Sequence, residues 1–215
     1  MASSPWRISS DVLIGRDGEA ARLRSFPSDM DDGRPSVALI SGEGGIGKTR
    51  LIADALEPWR EAGATVLVGT SPDLSAAPPY SALLDALRGA PTADAEDAID
   101  ALTGAVDLPR TQLFEAVRSA VVGLARRSAV ILVIEDLHWA DRATLDLLRY
   151  CLATGREGSW GLVASYRDDE ARDRPDVLDF LADVARGTVA RLPLAPLSRE
   201  QVAQQIASIS GSVAA

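Results

Sequence analysis

The octet Gly42-Glu43-Gly44-Gly45-Ile46-Gly47-Lys48-Thr49 satisfies the pattern G-x-x-x-x-G-K-[ST] without a mismatch. Glycines at this spacing let main-chain N–H groups turn inward around phosphate oxygens, and a helix beginning at the last glycine adds its partial positive charge. Lys48 then reaches the β- and γ-phosphates and the Thr49 hydroxyl reaches a magnesium ion. The binding segment is read as Gly42, Glu43, Gly44, Gly45, Ile46, Gly47, Lys48, Thr49 and Arg50. Lys48 is the only lysine in the chain, every other basic side chain being arginine. A lysine kept where arginine is otherwise used points to a need for a compact point charge rather than a planar fork.

A second set of candidates follows the apolar run Val130-Ile131-Leu132-Val133-Ile134, which ends in Glu135 and Asp136. Two acids at the carboxyl end of a buried strand have the form of a Walker B strand. One holds magnesium through water while the next orients or deprotonates an attacking water. Register assigns Glu135 to the metal, with Thr49, and Asp136 to the water, although the reverse assignment stays open. Arg167, after Trp160-Gly161-Leu162-Val163-Ala164-Ser165-Tyr166, can reach a γ-phosphate from its strand end. The alternative for Arg167 is a local ion pair with the acids Asp168, Asp169 and Glu170. The catalytic candidates are therefore Lys48, Glu135, Asp136 and Arg167. His138 is the only histidine and Cys151 the only cysteine, so neither a zinc motif nor a serine hydrolase triad is supported. His138 is expected as a polar loop residue of intermediate burial beside Trp139.

These residues need a scaffold of strand, glycine loop and helix. Val37-Ala38-Leu39-Ile40 precedes the octet, and Leu51, Ile52, Ala55, Leu56 and Trp59 recur on one helical face after it, with Pro58 expected to kink or loosen that helix near its end. Further strands are read at Ala64–Gly69, Ala129–Asp136, Trp160–Tyr166 and Val189–Leu194, the last with Pro193 at its end or on a sheet edge. Helices are read over Tyr80–Leu87, within 90–108, over Thr111–Arg127, through Leu145, Leu148, Cys151 and Leu152, and through Val177, Leu178, Leu181 and Val184. Residues 27–35 and 71–79 read as loops. Asp141 is the expected N-cap of one helix, and Ser198 with Gln201 forms a capping box on the last. Strands that are apolar throughout indicate an α/β fold with a parallel sheet covered on both faces.

The limits set by composition agree with this. The 215 residues, 47% hydrophobic and 25% charged, suffice for one large domain or for one domain with a helical appendage. A net charge of −9 argues against this surface gripping nucleic acid or an anionic membrane. No apolar stretch approaches the ~20 residues of a membrane span. One cysteine excludes an intrachain disulfide and suits a cytoplasmic location. Residues 1–10 read as a disordered N-terminus, 11–197 as a P-loop nucleotide-binding domain, and 198–215 as the start of a helical lid and a tail, disordered from Ser208.

Several landmarks occur together in order: Leu13-Ile14-Gly15-Arg16-Asp17-Gly18-Glu19, the phosphate loop, Val133-Ile134-Glu135-Asp136-Leu137-His138-Trp139-Ala140-Asp141, Ser165-Tyr166-Arg167-Asp168-Asp169-Glu170 and Leu194-Ala195-Pro196-Leu197-Ser198. In these the chain resembles the ATPase domain of large LuxR-type bacterial regulators, members of the signal-transduction ATPases with numerous domains (STAND), which are related to AAA+ ATPases. The resemblance implies a three-layer P-loop NTPase fold of the ASCE or AAA type. Its five-stranded parallel sheet would hold the sensor strand between the phosphate-loop and Walker B strands. It implies a site for ATP or ADP with Mg2+, Ile14, Gly15 and Arg16 near the adenine, and Arg167 as sensor of the γ-phosphate.

The function expected from this is an ATP-binding, slowly hydrolysing switch within a multidomain transcriptional regulator. Its partners would be the lid, sensor and DNA-binding domains of the same protein, with nucleotide-dependent self-association and no direct nucleic-acid contact by this segment. Two alternatives stay open: a P-loop kinase using residues 71–110 as an acceptor lid, and an interaction module without turnover. A guanine-nucleotide switch is disfavoured, because its Asn-Lys-x-Asp motif needs a lysine and the only one is already committed.

Overall fold

The computed structural model describes residues 13–30, 34–73, 77–90, 92–187 and 189–212, with side chains described to 208. The expected disordered segment 1–10 lies outside these residues. Five strands, β1 (Ser36–Ser41), β2 (Thr65–Thr70), β3 (Val130–Glu135), β4 (Trp160–Tyr166) and β5 (Val189–Pro193), form one sheet in the order β2-β3-β4-β1-β5. Every neighbouring pair is parallel. The fold is therefore α/β with a five-stranded parallel sheet, and β4 lies between β1 and β3.

Nine α-helices are described: α1 (Asp17–Arg24), α2 (Lys48–Glu61), α3 (Ser81–Leu87), α4 (Ala93–Thr103), α5 (Arg110–Ala125), α6 (Arg142–Thr154), α7 (Asp168–Arg172), α8 (Pro175–Val184) and α9 (Arg199–Ser212). Side chains alternate across each strand, so the sheet feeds two separate cores. On one face Ala38, Ile40, Ile131, Val133 and Val163 pack with Leu23 of α1 and with Leu51, Ile52, Ala55 and Trp59 of α2. On the other face Val37, Leu39, Leu132, Ile134 and Ala164 pack with α3, α4, α5, α6 and α8. The result is three layers, with the strand carboxyl ends sharing one edge.

Some local details depart from the sequence reading. Pro58 lies inside α2 without ending it, because the three residues after it complete the last turn. Phe26–Asp29 is a 3-10 helix rather than loop, and buries Phe26 against Trp59, with ring centroids 6.3 Å apart. Leu178 is 43% exposed, the core face of α8 being carried by Val177, Phe180 and Val184. The tail from Ser208 is helical as far as Ser212, as part of α9. The capping box forms at its start: Gln201 N donates to Ser198 Oγ at 3.2 Å, and Ser198 N donates to Gln201 Oε1 at 2.8 Å. On β2, a Cβ on Gly69 would stand 1.8 Å from the Ala82 carbonyl oxygen, so α3 lies directly on the strand backbone.

Candidate phosphate-binding site

The loop between β1 and α2 turns on three glycines with positive φ: Gly42 at 147°, Gly45 at 73° and Gly47 at 103°. A side chain at such angles is strained, which is why the turn is written in glycine. Gly47 is also the N-cap of α2 and offers no side-chain acceptor to the first-turn amides. An uncapped helix start on a glycine loop suits an anion. Glu43, Gly44 and Gly45 are exposed at the loop apex, while Ile46, Gly47, Thr49 and Arg50 are half-buried.

Lys48 is 7% exposed and its Nζ donates to the carbonyls of Gly42 at 2.8 Å and Glu43 at 2.9 Å. The ammonium thus spans the loop from within. Burial holds its pKa below the ordinary lysine value, while the Asp136 carboxylate acts in the opposite sense. Thr49 Oγ1 donates to Glu135 Oε2 at 2.5 Å. The first helical turn after the loop therefore touches the end of β3 directly. Glu135 is 7% exposed, and burial, opposed by the Thr49 hydrogen bond and aided by Asp136, raises its pKa above the usual carboxylate value.

Asp136 adopts φ 53° and ψ 46°, a left-handed turn that carries its half-buried side chain away from the strand direction. Its N–H donates to Ser165 Oγ at 3.2 Å, tying it to β4. Arg167, at the end of β4, lies against the phosphate loop: a Cβ on Gly44 would meet its Cζ at 3.4 Å. Its guanidinium pairs with Glu170 and stands 5.0 Å from the centre of the Trp139 ring. The local ion pair read as the alternative for Arg167 is formed, with Glu170, while the guanidinium also lies beside Gly44.

His138 departs from expectation. It is 1% exposed rather than of intermediate burial, and packs on Trp139 with centroids 4.7 Å apart. Its Nδ1 accepts from the Arg167 N–H at 3.4 Å and its carbonyl accepts from Arg174 at 3.0 Å. Burial lowers its pKa below the ordinary histidine value. Arg16 lies beside the loop from the amino-terminal side, with Gly15 next to it in the chain; Ile14 is half-buried. Arg16 is 5% exposed, and its Nη2 donates to Ala195 O at 2.6 Å and Ile46 O at 3.3 Å. Gly15, at φ 69°, is close-packed against Gln201, whose side chain a Cβ would meet at 2.5 Å. Asp141 caps α6 by accepting from Thr144 N at 2.9 Å and also accepts from Tyr80 N at 3.1 Å.

The donor set suits magnesium. Among the described residues no group of three or more His, Cys, Asp or Glu side chains is arranged to hold a metal, whereas Thr49 and Glu135 place two hard oxygens together beside the loop. Magnesium is commonly held in this way, by one or two protein oxygens completed by phosphates and water. Sequence reasoning missed the Trp139–Glu170 contact, in which Trp139 Nε1 donates to Oε2 at 2.8 Å. The two residues are 31 positions apart and no local pattern links them. No described helix is long and apolar enough to cross a membrane.

Comparison with known proteins places this geometry in a family. No curated protein matches the chain. Among solved structures it superposes on Cdc6p from Pyrobaculum aerophilum with a TM-score of 0.61 at 14% identity, over 97% of this chain and 52% of that one. The ORC2 protein of Aeropyrum pernix, solved as ADPNP-ADP complexes, gives 0.63 at 15% identity over 95% and 54%. Drosophila ORC bound to DNA gives 0.63 at 15% identity over 95% and 48%. The chain spans about half the length of each, and identities this low show the fold alone. The model of the AAA ATPase domain family matches residues 12–163, most of the chain, and supports nucleotide binding. The chain belongs to the AAA ATPase domain family.

Proposed function

We propose that this chain is an ATP-driven switch domain that binds MgATP and ADP on Gly42–Arg50 and hydrolyses ATP slowly. Its wider setting would be a signal-responsive transcriptional regulator of the LuxR-type STAND class, cytoplasmic and acting through lid, sensor and DNA-binding domains. The observation that carries the nucleotide reading is the contact of Thr49 with Glu135 beside an uncapped glycine loop spanned by Lys48. Lys48 would exchange its loop carbonyls for phosphate oxygens, and Thr49 and Glu135 would hold magnesium, which when bound would neutralise charge developing on the transferred phosphoryl group. Asp136 orients the attacking water, and Arg167 reads the γ-phosphate. Ile14 and Gly15 line the adenine side. Arg16, already committed to two carbonyls, acts there by holding the lead-in segment in place.

The regulator setting rests on the motif blocks around Glu135–Asp141 and Ser165–Glu170. A nucleotide switch requires different affinities for its two arrangements and only slow turnover. The kinase alternative is disfavoured, because α3 and α4, within the segment that would form an acceptor lid, bury Leu83, Leu87, Ala95 and Ala98 in the core. Isothermal titration of ATP, ADP and GTP with and without magnesium tests the proposal. Wild type is expected to bind both adenine nucleotides, and Lys48→Ala to weaken them about 10- to 100-fold, the loss of a charge-assisted contact. Equal heats from wild type and Lys48→Ala would overturn it.

A further inference from the structure

The guanidinium of Arg167 has competing partners. One side lies against the apex of the phosphate loop at Gly44. The other is held by the Glu170 carboxylate, one turn along the chain, and by the face of Trp139. Glu170 is itself fixed. Its Oε1 faces Arg167, while its Oε2 accepts the Trp139 indole N–H at 2.8 Å and lies 3.5 Å from His138 Nε2. The Arg167 main chain is held as well, by its N–H bond to His138 Nδ1. A short helix, α7, begins directly after Arg167 and brings Glu170 back beneath it.

We propose that Glu170 and Trp139 form a latch that competes with a nucleotide γ-phosphate for Arg167, making Glu170 a positioning residue that sets the preference for tri- over diphosphate. The inference rests on the nucleotide-switch reading of the site. An arginine has one guanidinium plane to offer, and a bidentate grip on a new anion requires release of at least part of the old one. The third phosphate of ATP reaches the loop apex where Arg167 waits, and ADP presents nothing there. Weakening the latch therefore favours ATP and leaves ADP unaffected. The side chains of Arg167 and Glu170 are 30% and 35% exposed, so solvent screens the pair and its release is a modest, reversible event. The same contact explains why Trp139 stands beside the site, since its ring stacks on the cation while its N–H aims the carboxylate.

The test is isothermal titration of MgADP and a magnesium complex of a non-hydrolysable ATP analogue against wild type, Glu170→Gln, Trp139→Phe and Glu170→Gln/Arg167→Ala. Glu170→Gln is expected to tighten the triphosphate by roughly fivefold, the fold-change equivalent to a partly exposed ion pair, with the ADP affinity unchanged. Trp139→Phe, which removes the N–H that fixes Glu170, moves the ratio in the same direction. The double variant shows no gain, because the released arginine is gone. A ratio that stays level or falls in Glu170→Gln overturns the latch while leaving the nucleotide site standing. Absence of binding by wild type removes both proposals, and the two failures are told apart by the wild-type titration alone.

Discussion

Replacing Glu135 by glutamine removes a charge that the fold holds at a cost. The carboxyl is 7% exposed at the end of β3. Burial raises its pKa above the ordinary 4.5, the Thr49 hydrogen bond opposes that rise, and Asp136 adds to it. A folded-state pKa above the unfolded one means that the folded chain holds this proton more tightly. Stability is therefore fullest below the unfolded value, falls as pH rises through the folded value, and stays reduced above it. Glutamine keeps the oxygen that accepts from Thr49 and abolishes the slope. Relief of strain at a functional position of this kind yields about 0.5–2 kcal/mol, and each kcal/mol moves Tm by roughly 2–4 °C in a domain of this size. With magnesium and ATP the ranking reverses: at 100 times Kd the wild type gains about 2.7 kcal/mol by mass action, and the variant lacks the magnesium-dependent part. Thermal melts of both chains between pH 4.5 and 8, in chelator and in MgATP, should show Glu135→Gln melting higher without metal and lower with MgATP. The chelator difference should shrink toward the acid end. A variant that melts lower than wild type in chelator at pH 8, or that gains as much as wild type from MgATP, would refute the reasoning.

Asp136→Asn should preserve nucleotide affinity and slow phosphate release by about 100-fold or more, the scale of general-base assistance. Asparagine tolerates the left-handed backbone at this position, so an unchanged rate would count against the role and not against the turn. Gly69→Ala should lower stability by about 1–3 kcal/mol, read as a shift of the urea midpoint, because the added Cβ meets the main chain of α3 at Ala82 and Ala86; an unmoved midpoint would show that α3 can retreat freely. Cys151 is 3% exposed and burial pushes its thiol up to about 12. It should therefore react with a disulfide reagent at pH 8 only at the rate of opening, and stoichiometric labelling within seconds in the native state would contradict that burial.

The parts of the fold that local pattern controls were legible in the sequence. The apolar runs of β1, β3 and β4 are continuous because both faces are covered, and the Ser198–Gln201 reciprocity needs only four consecutive residues. The position of β4 between β1 and β3 followed from the family resemblance, since a parallel ladder leaves no trace in either strand alone. Contacts between distant segments were not legible. Arg16 reaches a carbonyl 179 positions away and Trp139 a carboxylate 31 positions away. His138 was misjudged because a polar residue in a turn usually faces water. Here Arg167 and Arg174 close over it, one through its ring and one through its carbonyl. Leu178 was misjudged because a helix with four apolar positions needs only part of that face when Phe180 supplies the bulk.

The interposition of β4 acts as a ruler. Strands lie about 4.8 Å apart, so the root of the glycine loop and the acidic tip of β3 stand two such steps from one another, about 9.6 Å. Adjacent strands would crowd a carboxylate against the loop, and a third step would leave Thr49 unable to bridge the gap. The middle strand puts Ser165, level with Ile40 of β1, into that interval, where its Oγ accepts from the Asp136 N–H. Bulk added at Ser165, which is 1% exposed, would press on that interval from within the sheet.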